Sequence, residues 1–596
     1  MQQSTSRPSV LLDDQGIEWA RFQIDQRELV SLRDIPVSVQ HAFLATEDRS
    51  FYQHAGISWY GIIRSFIKNI ILGRFAQGAS TITQQLVRIL FFDTKKTLMR
   101  KLKEQLLAVV VEQHFSKDAI LESYLNHIYF GCGIYGVAAA AQRFWNKSIQ
   151  DITIDEAAVL AGIVKSPGNY CPLINLEGAR QRRNVVLNCM MSSGYITPAD
   201  AHTFAQRELN LCPSSQASCK APHLFDMIRA DLEKKFGRHL LYTGGLIIQT
   251  TLNQELQSRA VELVHNHIAH LKQSTHPDID GALVTIDNAS GAVKALVGGY
   301  DYKTSPFNRA KASRQVGSLF KPLIYTIAYE HGLYPTDICI DEPTTFMSGT
   351  TAWQPRNVTN RFEGPMTRAR ALTNSNNIIA VKTFLEVGAE PVIIAAHACG
   401  FRQLHSYPSL ALGCIDATVC ELTAYFSLFT NQGKINDNFY IQWIKDASGK
   451  RIWQHQNTTT QITSATAACI IRSILAAAME RWHRIFPELP HLPCESIGKT
   501  GTTNDIRNCW FAGSTPTYTT VIYLGRDNHE PLGAAYAVRT ALPLWLNYNA
   551  LIPQPQTCFH VPHGFHEHTM HGITGLPENR HSPEAITLLQ EISSSS

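Results

Sequence analysis

The spacing of apolar residues changes near residue 278, and this change restricts the fold more than any other feature. Between residues 36 and 205 apolar side chains recur every three or four positions, as in Leu102 to Phe115, which predicts helices. From residue 278 the sequence GALVTIDNASGAVKALVGG has two apolar runs around Asn288-Ala289-Ser290-Gly291, which is typical of a strand, a turn and a strand. The chain therefore combines a mostly helical domain with a later domain that contains an antiparallel sheet.

The length of 596 residues allows about three to five domains. A connector with one β-like run, at Leu246 to Leu252, follows the helical part. Later stretches alternate between helix and strand patterns, which favours an α/β or α+β domain. The predicted divisions are an N-terminal segment (1–20), a helical domain (21–205), a linker region (206–277), a mixed domain (278–550) and a tail rich in His and Pro (551–596).

Composition excludes several classes of protein. With 44% hydrophobic and 17% charged residues, the chain is globular and not disordered or fibrous. A net charge of +4, spread along the chain, argues against a nucleic-acid partner. The 13 cysteines contain no C-x-x-C pair, so the usual zinc and thioredoxin signatures are absent from the sequence and no compartment is indicated.

No stretch of the sequence predicts a membrane-spanning helix. The longest uncharged run, Ser123 to Gln142, contains Asn126, His127 and three glycines. Met1 to Val10 is polar and does not resemble a secretory signal. The protein is therefore expected either to be cytosolic or to be numbered from a point after a targeting segment.

Three short motifs occur in a fixed order in the mixed domain. Ser-x-x-Lys occurs at Ser65, Ser318 and Ser496, but only Ser318 is followed by an apolar helix and by two further motifs. These are Ser375-Asn376-Asn377 and Lys499-Thr500-Gly501. The ordered set is the one found in penicillin-binding proteins and class A β-lactamases, in which a lysine one helical turn after a serine takes the hydroxyl proton.

Four segments of the helical domain carry paired charges and amides. They are EDRSFYQHAG from Glu47, GASTITQQLVR from Gly78, RKLKE from Arg100 and ILESYLNHIYFG from Ile120. Two carboxylates with a basic cluster between them suit inverting glycosyl transfer to or from an anionic substrate. The simpler interpretations are an ion pair of Glu47 with Arg49 and an ordinary helix pair of Arg100 with Glu104.

These segments, together with RRNVVLNCM at Arg182 to Met190, resemble the motif series of the peptidoglycan glycosyltransferases. Joined to the Ser318 motifs, they resemble the bifunctional class A penicillin-binding proteins over roughly residues 20–550. The resemblance implies a mostly α, lysozyme-like glycosyltransferase domain. It also implies an α/β (α+β) domain like the serine β-lactamases and transpeptidases, with an antiparallel sheet flanked by helices.

In the glycosyltransferase domain the resemblance implies that Glu47 is the catalytic base. Glu104 would be the second carboxylate, on the side of the leaving group. The residues that would line the cleft and bind the substrate and its lipid-linked pyrophosphate are Asp48, Ser80, Thr81, Gln84, Gln85, Arg88, Arg100, Lys101 and Lys103.

In the second domain the resemblance implies that Ser318 is the acylated nucleophile and Lys321 its base. Ser375 and Asn377 would relay protons and hold the peptide. The KTGT segment would bind the substrate carboxylate through Lys499 and Thr500 and, at Gly501 and Thr502, lie on the strand that forms part of the oxyanion hole. Asn508 stands where relatives often have an aspartate, so local hydrogen bonding is expected to differ there.

By the same resemblance the chain would polymerise lipid II into glycan strands and cross-link their stem peptides, with β-lactams as covalent inhibitors. No cofactor is implied with certainty, although a divalent ion (Mg²⁺ or Mn²⁺) could assist at the glycosyltransferase site, and regulators of cell-wall synthesis are expected partners. The location would be the outer face of the bacterial inner membrane, in the periplasm. The amphipathic segment Ile57 to Phe75 is predicted to contact the membrane surface.

Two other functions stay open on the sequence. One is a carboxypeptidase or β-lactamase-like enzyme with only the serine chemistry, which the four helical-domain motifs disfavour. The other is a silent scaffold or β-lactam sensor, for which the loss of Glu47, Ser318 or Lys499 would be expected. The five histidines between positions 560 and 571 could bind a metal, but a loosely docked tail is favoured because no carboxylate or cysteine framework accompanies them.

Overall fold

The computed structural model describes residues 8–22, 29–58, 80–92, 98–131, 134–173, 175–211, 220–302, 304–349, 351–533, 535–580 and 582–591. The chain forms two compact units. The first comprises Met1–Ser9, Arg21–Ser218 and His239–Gly245, and the second Val10–Ala20, Cys219–Arg238 and Leu246–Ser596.

The described part of the first unit is mostly helical, as the apolar spacing predicts. Its helices are α1 (Val37–Glu47), α2 (Ile82–Phe91), α3 (Leu98–His114), α4 (Lys117–His127), α5 (Val137–Trp145), α6 (Ile154–Ile163), α7 (Pro167–Tyr170), α8 (Leu176–Ser192) and α9 (Pro198–Gln206). Two short strands, β3 (Tyr129–Gly131) and β4 (Ile134–Tyr135), pair between α4 and α5.

Side-chain caps fix where several of these helices begin. The Thr81 hydroxyl accepts from the amide of Gln84 at the start of α2, and Thr153 forms a capping box with Glu156 at the start of α6. Helices α1, α6 and α8 pack against one another around a core that includes Phe43, Leu160 and Val186. Helix α2 packs on α3 and on α4, and these three helices carry most of the polar motifs.

The central sheet of the second unit has five strands in the order β18-β19-β20-β6-β7, and all neighbours are antiparallel. The strands are β6 (Asp280–Asp287), β7 (Val293–Val297), β18 (Ile497–Thr502), β19 (Asn508–Ser514) and β20 (Tyr518–Gly525). The predicted strand, turn and strand at residues 280–297 is therefore confirmed, and so is an antiparallel sheet with helices packed on it.

The described helices of the second unit are α10 (Pro222–Phe236), α12 (Gln254–Ser274), α13 (Lys321–Glu330), α14 (Arg368–Thr373), α15 (Asn377–Val387), α16 (Ala389–Ala398), α17 (Val419–Ser427), α18 (Ala465–Ile485) and α19 (Ala541–Leu551), while α11 (Arg238–Thr243) belongs, apart from Arg238, to the first unit. Helices α12 and α19 cover one face of the sheet, where Phe511 packs on Trp545. Adjacent strand residues point to opposite faces, so Trp510 reaches the other face and donates a hydrogen bond to the Gln315 carbonyl, near Ser318.

A second five-stranded sheet has the order β16-β15-β5-β1-β2. Its strands are β1 (Ser9–Leu12), β2 (Glu18–Phe22), β5 (Ile247–Thr250), β15 (Ile441–Lys445) and β16 (Arg451–Gln454). Strand β1 runs parallel to β5, with Val10 opposite Ile247. The chain therefore contributes its first two described strands to a sheet whose other three strands begin at residue 247 or later.

Smaller antiparallel pairs complete the described part of this unit. They are β8 (Arg314–Gln315) with β13 (Asp416–Ala417), β9 (Ile338–Asp341) with β12 (Gly364–Thr367), β10 (Phe346–Ser348) with β11 (Thr351–Trp353), β14 (Lys434–Asn436) with β17 (Thr459–Gln461), and β21 (Phe565–His571) with β22 (Ala585–Glu591).

The histidine-rich tail forms an ordered hairpin, whereas its composition favours a loosely docked segment. Strands β21 and β22 pair along their full length, and β22 packs on α18 with Met570 of β21 fully buried. The difference arises because Met570 of β21 and Ala585, Ile586 and Leu588 of β22 are buried, which a count of His and Pro does not reveal. Among the described residues, no group of three His, Cys, Asp or Glu side chains could hold a metal ion.

Within the described ranges, no helix has both the length and the apolar character that crossing a bilayer requires. The predicted membrane-contacting segment Ile57–Phe75 lies, from residue 59 onward, outside the described residues, as does the Ser65 motif.

Candidate active sites

Glu47 is the last residue of α1 and is half buried. Its Oε2 accepts a hydrogen bond of 2.9 Å from the amide nitrogen of Gln85 on α2. The Gln85 amide oxygen in turn accepts one of 3.2 Å from the hydroxyl of Tyr124 on α4. A chain of two hydrogen bonds therefore holds the carboxylate that the sequence analysis assigns as the base.

Tyr124 is a residue of this site that the sequence analysis did not single out. It is fully buried, and burial together with the charge of Glu47 raises the pKa of its phenol well above the usual 10.0. The phenol therefore stays protonated, and its single proton is donated to Gln85. Its position in ILESYLNHIYFG could have been noticed, but its contact with Gln85 depends on how α2 and α4 pack.

Asp48 is buried, and its contacts are with the protein itself. Its Oδ2 accepts from the Ile82 amide at 3.1 Å and lies 2.9 Å from Nε2 of His54. A carboxylate at the first turn of a helix is stabilised by the free amides and by the helix dipole. Asp48 thus ties the end of α1 to the start of α2, the helix that carries Gln84 and Gln85.

A second group of polar residues surrounds Lys101 on α3. The Lys101 ammonium donates to Ser80 Oγ at 2.9 Å and to Gln84 Oε1 at 3.3 Å, and it lies 3.4 Å from Glu104 Oε2. Nε of Arg100 lies 3.1 Å from the other carboxylate oxygen of Glu104, which is buried. The predicted second carboxylate is therefore flanked by two cations.

Gly56 joins this group to the loop after α1. Its carbonyl oxygen accepts from Thr81 Oγ1 at 2.8 Å and from Gln84 Nε2 at 3.3 Å. Its φ is +85°, and a Cβ there would lie 2.9 Å from the backbone of Ala108 on α3. Only glycine allows the loop this close to α3, which explains a glycine in EDRSFYQHAG.

Arg88 and Lys103, the remaining predicted residues of this domain, are exposed on α2 and α3. The structure therefore brings the predicted residues of the first domain into two hydrogen-bonded groups, one at Glu47 and one at Lys101, with Arg88 and Lys103 outside them.

Ser318 lies in a short 3-10 helix, Gly317–Phe320, which runs directly into α13. Lys321, at the start of α13, is fully buried. Its Nζ donates to the Ser375 carbonyl and to Oδ1 of Asn377, both at 2.6 Å. Burial and then the charge of Lys499 lower the pKa of Lys321 well below the usual 10.5.

Ser375 lies between the two lysines of the motifs. Its Oγ is 2.8 Å from Lys499 Nζ and 3.4 Å from Lys321 Nζ. Its φ of 58° is in the left-handed region, which non-glycine residues adopt mainly where surrounding contacts enforce it. Asn376, not Ser375 or Asn377, caps α15 by accepting from the Ile379 amide, so the outer two residues of the motif are left for the site.

Lys499 is buried on β18, and burial lowers its pKa to about 7, with a smaller contribution from the charge of Arg481. Thr500 and Thr502 are partly exposed on the same strand. A Cβ on Gly501 would lie 2.8 Å from the Val316 carbonyl, so glycine is needed for β18 to lie beside the turn that carries Ser318. The third Ser-x-x-Lys, at Ser496, therefore has its lysine in the Ser318 site.

Asn357 is a further residue that the sequence analysis missed. Its side-chain oxygen accepts from the Asn377 amide at 2.9 Å, while its nitrogen donates to both oxygens of the buried Asp341. Asn508, the departure noted in the sequence, accepts from the hydroxyl of Tyr523 at 3.2 Å through its side-chain oxygen. This neutral contact does not involve any of the predicted catalytic residues.

Comparison with known proteins agrees with both sites. Residues 15–191 match the Transglycosylase family model, and residues 281–542 match the Penicillin binding protein transpeptidase domain. The chain is 32% identical to penicillin-binding protein 1A of Aquifex aeolicus, over 93% of this chain and 88% of that protein. It is 33% identical to penicillin-binding protein 1F of Bacillus subtilis, over 89% of this chain and 76% of that protein.

The fold is also that of a solved relative. The crystal structure of penicillin-binding protein 1A from Haemophilus influenzae superimposes with a TM-score of 0.61 at 23% identity, covering 99% of this chain and 98% of that one.

Fold and motifs thus define an enzyme that joins a glycosyltransferase domain to a serine-type D-Ala-D-Ala transpeptidase domain. The chain belongs to the bifunctional class A penicillin-binding proteins, enzymes of peptidoglycan synthesis at the cell envelope. The two alternative functions are not supported. These were a carboxypeptidase or β-lactamase-like enzyme with only the serine chemistry and a silent scaffold or β-lactam sensor.

Proposed function

We propose that Ser318 is the nucleophile of peptide cross-linking and that Lys321 is its base. A neutral lysine has two N–H groups and one lone pair. In this site the two N–H groups have close acceptors, the Ser375 carbonyl and Asn377 Oδ1, so the lone pair is free for a hydroxyl proton. Burial and the charge of Lys499 lower the pKa of Lys321, which favours the neutral amine that a general base requires.

Ser375 would then carry the proton to the leaving group. Its hydroxyl is within reach of both lysines, so it can accept from one and donate onward as the D-Ala–D-Ala peptide bond breaks. Lys499 and Thr500 would bind the carboxylate of the stem peptide, and the backbone at Ser318 and Thr502 would stabilise the oxyanion. The same steps with a β-lactam leave a stable acyl group on Ser318. This convergence on Ser375 is the observation that carries the assignment.

For glycan polymerisation we propose that Glu47 takes the proton of the acceptor sugar hydroxyl. The hydrogen bond from Gln85 orients this carboxylate. Arg100, Lys101 and Glu104 would face the pyrophosphate of lipid II. Further residues would line the cleft, namely Ser80, Gln84, Arg88 and Lys103. Asp48, Thr81 and Gln85 would hold the surrounding helices and side chains in position. Inversion follows from attack on the face opposite the leaving group.

A divalent ion at this site remains a prediction. The described residues offer no group of three suitable side chains, so the donor set does not fit a resident metal ion and no step is assigned to one. Comparing polymerisation with a chelator and with added Mg²⁺ or Mn²⁺ tests it. Regulators of cell-wall synthesis also remain predicted partners.

We propose that the glycosyltransferase domain contacts the membrane surface from the periplasmic side through α3. Met99, Leu102, Leu106 and Val110 follow one face of this helix and are 64%, 52%, 62% and 47% exposed within the described part of the chain. Such a row of exposed apolar residues beside Arg100 and Lys101 suits a bilayer that holds a lipid-linked anion.

The membrane proposal is tested with vesicles that contain phosphatidylglycerol. Leu102→Ser combined with Leu106→Ser should weaken vesicle binding. Leu176→Ser combined with Val185→Ser, at comparably exposed positions of α8, serves as the control. Equal binding by both double variants would contradict the assignment of α3.

The enzymatic proposals are tested on one sample of the chain incubated with lipid II and a labelled penicillin. Glycan polymer and covalent label at Ser318 are read in parallel. Absence of glycan polymer would contradict the proposal for the glycosyltransferase site, and absence of label at Ser318 would contradict the proposal for the transpeptidase site.

A further inference from the structure

The C-terminal hairpin, β21 and β22 with the turn between them, lies after the residues that match the transpeptidase family model, which end at 542. None of the residues assigned to the two reactions lies in this hairpin. It nevertheless contacts two elements that lead to the site, the start of α14 and the length of α18.

The contact with α14 is made at its first turn. The Gly572 carbonyl of the hairpin accepts from both the amide (3.0 Å) and the hydroxyl (2.7 Å) of Thr367. Thr367 is buried, and its hydroxyl also caps α14 by accepting from the Arg370 amide at 3.2 Å. The side chain of Arg370 forms an ion pair with Glu584 of the hairpin. Two independent contacts therefore hold this turn.

Helix α14 ends directly at the Ser375 motif. The amide of Ser375 donates to the Leu372 carbonyl at 3.1 Å, and the amide of Asn376 donates to the Ala371 carbonyl at 2.8 Å. The backbone of the motif is thus fixed by the last carbonyls of a six-residue helix. A shift of that short helix moves Ser375 with it.

The contact with α18 leads to the other lysine. The Leu589 amide of β22 donates to Ser473 Oγ at 3.1 Å, and Arg484 donates to the Pro583 carbonyl at 3.1 Å. Helix α18 packs on β18, where a Cβ on Gly498 would lie 2.7 Å from the sulfur of Met479. The next residue of that strand is Lys499.

We propose that the hairpin is a positioning element of the transpeptidase site, which holds α14 against α18 and so fixes Ser375 relative to Lys499. Glu584 and Arg370 are positioning residues in this role, since neither is among the residues assigned to the reaction. The contact that depends on them is the 2.8 Å hydrogen bond between Ser375 and Lys499, two residues that lie 124 positions apart in the sequence. The proposal rests on the assignment of Ser318 and Ser375 made above.

The experiment compares Glu584→Gln with Glu567→Gln in the full chain. Both remove one carboxylate charge from the hairpin, but Glu567 pairs with Arg580 inside the hairpin and does not touch α14. Stopped-flow acylation by a labelled penicillin separates initial binding from the acylation step. In Glu584→Gln we expect the acylation rate constant to fall about threefold to tenfold with initial binding unchanged, and in Glu567→Gln neither to change.

The pH profile distinguishes positioning from general loss of structure. Around the Ser375 hydroxyl the charged groups are Lys321 and Lys499, with Arg481 acting on Lys499. A looser site admits water and returns the lysine pKa values toward 10.5, so the acid limb of acylation should move to higher pH in Glu584→Gln. If the variant were destabilised but its site correctly positioned, the fraction of acylated protein would fall while the acid limb stayed at the wild-type pH.

Arg370→Gln provides a second variant, which also removes the contact of Arg370 with Glu363. The double variant should be no worse than Arg370→Gln alone, because Glu584 acts through its ion pair with Arg370. Equal acylation by Glu584→Gln and the wild-type chain, or an equal loss in Glu567→Gln, would overturn the hairpin proposal. A wild-type chain that is not acylated at Ser318 would instead overturn the proposed function.

Discussion

The two sites of this enzyme place lysines in opposite surroundings. The side chain of Lys101, in the glycosyltransferase domain, is 40% exposed and lies beside the carboxylate of Glu104. Lys321, in the transpeptidase domain, is 0% exposed and has only uncharged acceptors. Lysine is cationic at neutral pH unless burial or a nearby cation disfavours the charge. Burial therefore decides whether the same residue type provides a charge for an anion or a lone pair for a proton.

The largest expected effect separates the two sites completely. Ser318→Ala should abolish covalent labelling by penicillin, because the other Ser-x-x-Lys in the described residues already has its lysine in this site. Polymerisation of lipid II should be nearly unchanged. Mass spectrometry of the labelled peptide checks this, and label at Ser496 or Ser65 in the variant would show that the nucleophile is misassigned.

The reverse separation comes from the carboxylates. Glu47→Gln keeps the shape but cannot take a proton, so polymerisation should fall about a hundredfold or more with penicillin acylation unchanged. Glu104→Gln should also be severe, since it leaves Arg100 and Lys101 without their carboxylate. Gel analysis of polymer from labelled lipid II gives the rates. A Glu47→Gln chain that polymerises at the wild-type rate would exclude this residue as the base.

A smaller effect tests how Glu47 is held. Tyr124→Phe removes the donor to Gln85, so the amide can turn and present its oxygen to the carboxylate, which leaves Glu47 without its orienting hydrogen bond. Polymerisation should fall about fivefold to tenfold, the effect of one hydrogen bond of roughly 1 kcal/mol. Tyr52→Phe, which removes a phenol bound to Asp118, is the matched control. Equal polymerisation rates for the two variants would contradict the relay.

The last prediction concerns stability and the burial of Lys499. Its pKa is about 7 in the folded chain and 10.5 when exposed, so between these values the unfolded chain binds a proton that the folded chain does not. Stability attributable to this residue therefore rises with pH from about 7 to 10, by up to about 1.4 kcal/mol per pH unit. Denaturant unfolding of Lys499→Met should lack this slope, whereas Lys434→Met, an exposed lysine of β14, should retain it.

Much of the fold follows from local pattern. The strands β6 and β7 and the helix after Ser318 are visible in short stretches of sequence, because apolar spacing and turn residues are local properties. The motif residues were identified in the same way, since each carries a recognisable spacing. The role of Ser375 in relaying protons rests on the resemblance, whereas the approach of both lysines to its hydroxyl is visible only in the structure.

Other features depend on tertiary packing and have no local signal. Tyr124 reaches Gln85 only because α4 packs on α2, and Asn357 reaches Asn377 from a separate loop. The docking of the histidine-rich tail is of this kind, because its composition resembles a loop while β22 packs on α18. Sequence reasoning therefore finds the groups that react more readily than the groups that hold them.

The pairing of β1 with β5 has a consequence for the order in which the chain can fold during synthesis. Val10 lies opposite Ile247, so β1 leaves the ribosome well before its neighbour exists. At about 5–20 residues per second, that interval is on the order of 10 to 50 seconds. Through this time the edge of β1 that faces β5 has unpaired backbone groups, although β2 can already pair with its other edge. The helical unit encoded between β1 and β5 can meanwhile be complete. Chaperone binding to the nascent amino-terminal strand, released once residue 250 has emerged, is the expected kinetic signature of this topology.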